Sequence, residues 1–128
     1  MPQTTRKTDK LTPKQQALAQ IKAVHEDKCA TINGRNYKFG LINHERRVKV
    51  FAFYSSVESL LAAGRFDFLT TPEFKAVFEL IGNLVTYDDN RLSVLEDHWD
   101  EYPEDYLKFV SVALGAISYP FFRGVNIS

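Results

Sequence analysis

The chain has 128 residues, of which 45% are apolar and 25% charged, as in an ordinary globular domain rather than a disordered or fibrous chain. No apolar run reaches the roughly 18 residues that a membrane span requires, so no membrane partner is expected. The single cysteine, Cys29, excludes an internal disulfide framework and is typical of a reducing cytoplasm.

The formal net charge is zero, but the two halves of the chain carry opposite charges. Residues 1–64 hold 11 Lys/Arg and 5 Asp/Glu, whereas residues 65–128 hold 5 and 11. Oppositely charged halves either screen each other within one fold or attract a second copy head to tail. Self-association is therefore one expectation, and an unevenly charged but solvated surface is the simpler alternative.

The first segment is polar and basic. Residues 1–12 contain too few apolar side chains to offset the entropy of ordering, so we expect a flexible arm there. Residues 13–128 are expected to form one globular helical domain. Its first helix begins where Thr12 is the N-cap and Pro13 takes the first helical position. The apolar residues that follow at helical spacing are Ala17, Leu18, Ile21 and Val24.

A β-hairpin is predicted near residues 29–39. Asn33-Gly34 is a dipeptide favoured by the two-residue type I′ turn, and it lies between two short runs of strand-forming residues. The turn pairs Ile32 with Arg35. The side chains that then share one apolar face are those of Ala30, Ile32, Tyr37 and Phe39. A lone hairpin is marginally stable in water, so this face is expected to pack on helices.

A long second helix is predicted from the N-cap Asn43 to just before Gly64, because glycine is favoured at the position that follows the end of a helix. Its middle is apolar on nearly every side, which indicates contacts with several neighbours. The core stripe is predicted at Val48, Phe51, Ala52, Ser55, Leu60 and Leu61, widened by Val50, Phe53, Tyr54 and Val57.

Two further helices follow. One begins at Thr71-Pro72, with Phe74, Val77, Phe78, Ile81, Leu84 and Val85 facing inward. After a polar turn over residues 87–90 and one helical turn over residues 91–96, the last helix is predicted from about Pro103 to Ser118, ending before Pro120. The predicted fold class is mainly α with a small β-hairpin (α+β), a compact domain of about four to five helices.

No pattern typical of catalysis or metal binding occurs in the sequence. The three histidines lie far apart and have no metal-ligand spacing, and Cys29 has no base near it in the chain. Six carboxylates between Glu96 and Asp105 are interpreted as a helix start and a solvated face, with an acidic docking surface as the alternative. No catalytic residue, metal ligand or cofactor is predicted.

The segment from Glu96 to Arg123 is the best candidate for partner binding. Its middle is expected to be a central core helix, in which Gly115 indicates a close approach by another helix. Its two ends supply the predicted contact residues, which are Trp99, Tyr102, Phe121, Phe122 and Arg123.

The order of these segments carries a family resemblance. The stretches are INGRNYKFG followed by HERRVKVFAFYSS, then FDFLTTPEF, and finally HWDEYPEDYLKFVSVALGAISYPFFRG, within about residues 30–124. Together they resemble the tail assembly chaperones of tailed bacteriophages and prophages. The resemblance implies a non-enzymatic protein of the bacterial host cytoplasm that binds the tape measure protein, keeps it soluble, and is absent from the mature virion. The tail-tube protein is a further partner in this interpretation.

Two other functions remain open from the sequence. A structural minor tail or neck component would stay in the virion. A small nucleic-acid-binding regulator would use the basic stretch at residues 44–49, but a pI near 6.8 and the acidic second half argue against it. An enzyme is the weakest of the candidates.

Overall fold

The computed structural model describes residues 12–125, with the side chains of residues 14 and 123–125 excepted. The predicted arm therefore lies outside the described residues, apart from Thr12. The observed fold is mainly helical with one small antiparallel sheet, which confirms the predicted fold class. Its elements are α1 (Pro13–Asp27), β1 (Cys29–Ile32), β2 (Arg35–Phe39), α2 (His44–Ala62), α3 (Pro72–Leu84), β3 (Val85–Tyr87), β4 (Asn90–Arg91), α4 (His98–Glu101) and α5 (Pro103–Val125). Short 3₁₀ helices at Asp67–Thr70 and Leu92–Val94 complete the described part.

The starts of the first three helices are as predicted. The side chains of Thr12, Asn43 and Thr71 each accept a hydrogen bond from the backbone N–H three residues further on. This satisfies one of the N–H groups that the first turn of a helix leaves without an intrahelical partner. The predicted end of α2 is also confirmed, because Gly64 follows the helix with a φ of 71°.

The hairpin has the predicted register but belongs to a larger sheet. Ile32 pairs with Arg35 across the Asn33-Gly34 turn, in which both central residues have a positive φ, as a type I′ turn requires. The sheet continues antiparallel through β3 to β4 in the order β1-β2-β3-β4. These two strands were not predicted, because they have three and two residues, too few to show alternation.

The last helix, α5, is the centre of the core. It packs against α1, α2, α4 and β1, and its middle is buried, as predicted. The predicted close approach occurs at Gly115, where an added Cβ would lie 2.5 Å from Ile21 Cδ1 on α1. The fully or almost fully buried residues of α5 are Asp105, Phe109, Val110, Val112, Ala113, Leu114, Ala116, Ile117 and Ser118.

Two predictions about the helices were wrong. The buried residues of α2 are Val50, Tyr54 and Val57, whereas Ala52 and Ser55 of the predicted stripe are exposed and Val48 is 42% exposed. Because the middle of α2 is apolar all round, its sequence does not determine which face turns inward.

The second error concerns Pro120, which lies inside α5 rather than after it. Proline has no backbone N–H, so the carbonyl of Ala116 loses its helical partner. In the same turn, Arg47 on α2 donates a hydrogen bond from Nη1 to the carbonyl oxygen of Ile117 at 2.7 Å. A charged donor from a neighbouring helix thus supports the weakened turn, and α5 continues to Val125.

Candidate partner-binding surfaces

A polar network joins the hairpin to the first turn of α5. The carboxylate of Asp105 is fully buried and accepts four hydrogen bonds. The donors are Asn33 Nδ2 at 2.7 Å, Arg35 Nε and Nη2 at 2.6 and 3.0 Å, and Tyr37 Oη at 2.6 Å. Arg35 and Tyr37 reach the same acceptor because side chains two residues apart on a strand point to the same face. The network fixes the hairpin on the start of α5.

The electrostatics of this network follow from its geometry. The hydrogen bonds from Arg35 hold the pKa of Asp105 well below its usual range, so the carboxylate stays ionised in the fold. The same carboxylate raises the pKa of Arg35, and burial raises the pKa of Tyr37. Arg35 also contacts Glu104 at 2.6 Å, but the Glu104 side chain is 55% exposed, so solvent weakens that pair.

His98 extends the network on the other side of Tyr37. Its side chain is buried, and its Nε2 lies 2.8 Å from Tyr37 Oη. Since the Tyr37 hydroxyl gives its only proton to Asp105, we assign the hydrogen of the His98 ring to Nε2, which then donates to Tyr37. Burial lowers the pKa of His98, which favours this neutral form at pH 7.

The structure places Trp99 and Tyr102 beside this network, and both are half-buried. The Trp99 ring lies among five other aromatic rings, those of Tyr37, Phe78, His98, Tyr106 and Phe109, at centroid distances between 4.6 and 6.2 Å. The Tyr102 ring carries the Arg35 guanidinium over one face, 4.0 Å from the ring centroid.

The other predicted contact residues lie near the opposite end of α5. Phe121 is half-buried and packs edge-on against His44 and Phe51 of α2, at 5.7 and 5.2 Å. Phe122 stacks on Tyr54 at 6.0 Å. The side chain of Arg123 lies outside the described residues. Phe121 is 18 positions after the start of α5, which is about 27 Å along the helix axis. The predicted residues therefore occupy two separate places.

Sequence reasoning missed the burial of Asp105 and His98. It grouped Asp105 with five other acidic residues as a helix start and a solvated face. A signal was present, because Asp105 precedes the buried Phe109 by four positions and Ala116 by 11, and all three therefore lie on one face of the helix. A carboxylate on a core face requires donors, and the hairpin supplies them.

The described residues include no group of three or more His, Cys, Asp or Glu side chains arranged to hold a metal ion. None of the helices among them has both the length and the apolar character needed to cross a bilayer. Comparisons of the chain with protein-family models, curated proteins and solved structures found no match.

Proposed function

We propose that this protein is a non-enzymatic tail assembly chaperone of a tailed phage or prophage, which binds the tape measure protein and keeps it soluble during tail assembly. The proposal joins the order of segments in the sequence to one feature of the fold. That feature is a partly exposed apolar surface where the end of α5 lies on α2. We call it the α2–α5 surface, and define it by Val48, Phe51, Phe121 and Phe122.

The α2–α5 surface has the chemistry to hold an amphipathic helix. Val48 is 42% exposed, and Phe51, Phe121 and Phe122 are half-buried. The rings of Phe51 and Phe121 pack edge to face, with their centroids 5.2 Å apart. A helical client presents apolar side chains every three or four residues, and such a row packs between ring edges and an exposed aliphatic side chain. This surface is the observation that carries the proposal.

Of the two groups of predicted contact residues, only the one at the end of α5 is proposed to bind the tape measure protein. Phe121 and Phe122 belong to the α2–α5 surface and are its expected anchors. Trp99 contacts five rings of the domain itself, so its substitution would disturb folding before it tested binding. Tyr102 is held by Arg35. A partner that touched Tyr102 would make a second contact there, at the end of α5 opposite to the α2–α5 surface.

The test is co-elution of the purified chain with segments of the tape measure protein in size-exclusion chromatography. Val48→Glu places a charge on the α2–α5 surface, at a position already exposed, and is expected to lower the co-eluting fraction at least about tenfold, since a charge buried at an interface without a partner is costly. The matched control is Val94→Glu, because Val94 is 65% exposed and lies between β4 and α4.

A second variant tests the anchors themselves. Replacing Phe121 and Phe122 together by serine is expected to abolish co-elution while the helix content measured by circular dichroism stays the same. Loss of helix content would make these rings core residues. In that case Val48→Glu decides the question, and undiminished binding of Val48→Glu would refute the role of the α2–α5 surface.

A further inference from the structure

A cleft of about 480 Å³ opens beside His98, at the end of the molecule opposite to the α2–α5 surface. Tyr87 and Tyr102 contribute aromatic rings to its lining, with their centroids 6.1 Å apart. The charged side chains that line it all carry carboxylates, and they are Asp88, Glu96, Asp97 and Glu101. No Lys or Arg of the described residues lines this cleft, so its charged lining has a single sign.

His98 adds an acceptor of a different kind. The residue as a whole is 5% exposed, and its Nε2 donates to Tyr37. The other ring nitrogen, Nδ1, then carries a lone pair. Nδ1 has no hydrogen-bond partner among the described residues. The described polar side-chain atoms that are both fully buried and without a partner do not include it, so Nδ1 is accessible to solvent. His98 is one of the residues that line the cleft. We therefore place an available acceptor in the floor of the cleft. This is an observation independent of the acidic rim.

These features define the chemistry of a ligand. A group that enters the cleft meets an acceptor at its floor, carboxylates at its rim and the rings of two tyrosines. Lysine ammonium and arginine guanidinium groups have hydrogen-bond donors and no acceptors, and both are attracted to carboxylates and aromatic faces. Tyr102 already binds one such group, the guanidinium of Arg35, on one face of its ring.

The chain itself contains a segment with this chemistry. Residues 1–11 hold Arg6, Lys7 and Lys10 against one acidic residue, Asp9. The segment joins the fold at Thr12, where α1 begins. Its charge is complementary to that of the cleft.

The packing of α1 brings Thr12 close to the acidic end of the molecule. Ile21 lies against Gly115, and the ring of His25 is 5.3 Å from that of Tyr119. The two contacts have the same offset in residue number, so α1 and α5 run in the same direction. Thr12 is therefore at about the level of Tyr106, roughly one helical turn from Tyr102.

We propose that the cleft is a binding site for a basic side chain, and that residues 1–11 of the same molecule occupy it through Arg6, Lys7 or Lys10. Arg6 is six residues before Thr12, and an extended chain of that length spans about 20 Å, several times the roughly one helical turn that separates the level of Thr12 from that of Tyr102 along the helix axis. A segment tethered by a short linker competes at an effective concentration in the millimolar range, so a contact with a Kd below that range is populated. This inference is independent of the proposed chaperone function.

The experiment follows the side-chain nitrogens of His98 by NMR in the intact chain. Replacing Arg6, Lys7 and Lys10 by glutamine is expected to shift the Nδ1 resonance of His98, since its donor is lost. Raising NaCl from about 0.1 M to about 1 M shortens the Debye length from about 10 Å to about 3 Å. In the chain without substitutions, this increase in salt is expected to shift the Nδ1 resonance of His98 in the same direction.

The matched control removes the same charge elsewhere. Lys22, Lys49 and Lys75 are exposed on α1, α2 and α3, and their replacement by glutamine is expected to leave the His98 resonance unchanged. If the variant of residues 6, 7 and 10 also leaves it unchanged, the proposal is wrong. A shift that disappears on dilution, together with a mass above that of a monomer, would assign the segment to a second copy and overturn the intramolecular contact.

Discussion

Replacing Asp105 by asparagine tests the network that holds the hairpin on α5. The carboxylate is fully buried and is the common acceptor of Asn33, Arg35 and Tyr37. An asparagine keeps one oxygen and turns an NH₂ group towards these donors, and it leaves the guanidinium without its buried counter-charge, with only the exposed Glu104 beside it among the described residues. Removing one member of a buried ion pair costs about 3–5 kcal/mol, because the other charge loses its compensation.

The assay is urea denaturation at pH 7 followed by circular dichroism. Asp105→Asn is expected to lower the free energy of unfolding by about 3–5 kcal/mol, equivalent to a fall in Tm of roughly 10–20 °C for a domain of this size. Glu104→Gln is the control, since Glu104 is adjacent and also bonds Arg35 but is 55% exposed. Its expected cost is below about 1 kcal/mol. Equal effects of the two substitutions would refute the assignment of Asp105 as the buried centre of the network.

The remaining predictions concern helix packing and pH. Gly115→Ala is expected to destabilise the fold by about 1–3 kcal/mol despite its better helix propensity, because the new Cβ would meet Ile21 at 2.5 and 2.9 Å. In an Ile21→Ala background the same change should be neutral or stabilising by up to about 1 kcal/mol, and denaturation of all four proteins measures this coupling. The pKa of Asp105 is lower in the folded chain than its unfolded value near 3.9. The stabilisation that its carboxylate gives the fold is therefore complete above that pH and is lost as the pH falls below it. The pKa of His98 is also lowered, so stability should decline as the pH falls below about 6.5. His98→Gln should flatten that decline in a pH series of denaturation curves, whereas replacement of the exposed His44 by glutamine should not.

Much of the fold was predictable because local chemistry determines it. The Asn33-Gly34 dipeptide fixes both the turn type and the register of the hairpin, since few other residues tolerate two positive φ angles in succession. The N-caps at Thr12, Asn43 and Thr71 fix the starts of three helices, because a side chain there satisfies a backbone donor three residues away.

The features that were missed depend on tertiary partners. Pro120 weakens a turn of α5 that a donor from another helix supports, and that donor, Arg47, is 73 positions earlier in the chain. Asp105 looks like its acidic neighbours until the donors of the hairpin face it. The inward face of α2 is likewise chosen by its neighbours, because apolar side chains surround its middle.

The same distinction applies to the predicted contact residues. Composition identified aromatic side chains at both ends of the segment from Glu96 to Arg123. It did not show that Trp99 is enclosed by rings of the domain, or that Phe121 packs with Phe51 beside the exposed Val48. The proposed binding surface therefore combines residues of two helices, of which the sequence analysis had selected only one.

The most direct test of the chaperone proposal is the soluble fraction of the tape measure protein, expressed with and without this chain and measured after centrifugation of the lysate. We expect the tape measure protein to be largely insoluble alone and largely soluble with the chain, and to return towards the insoluble fraction with Val48→Glu but not with Val94→Glu. A tape measure protein that is equally insoluble in the presence and absence of this chain would contradict the proposed function.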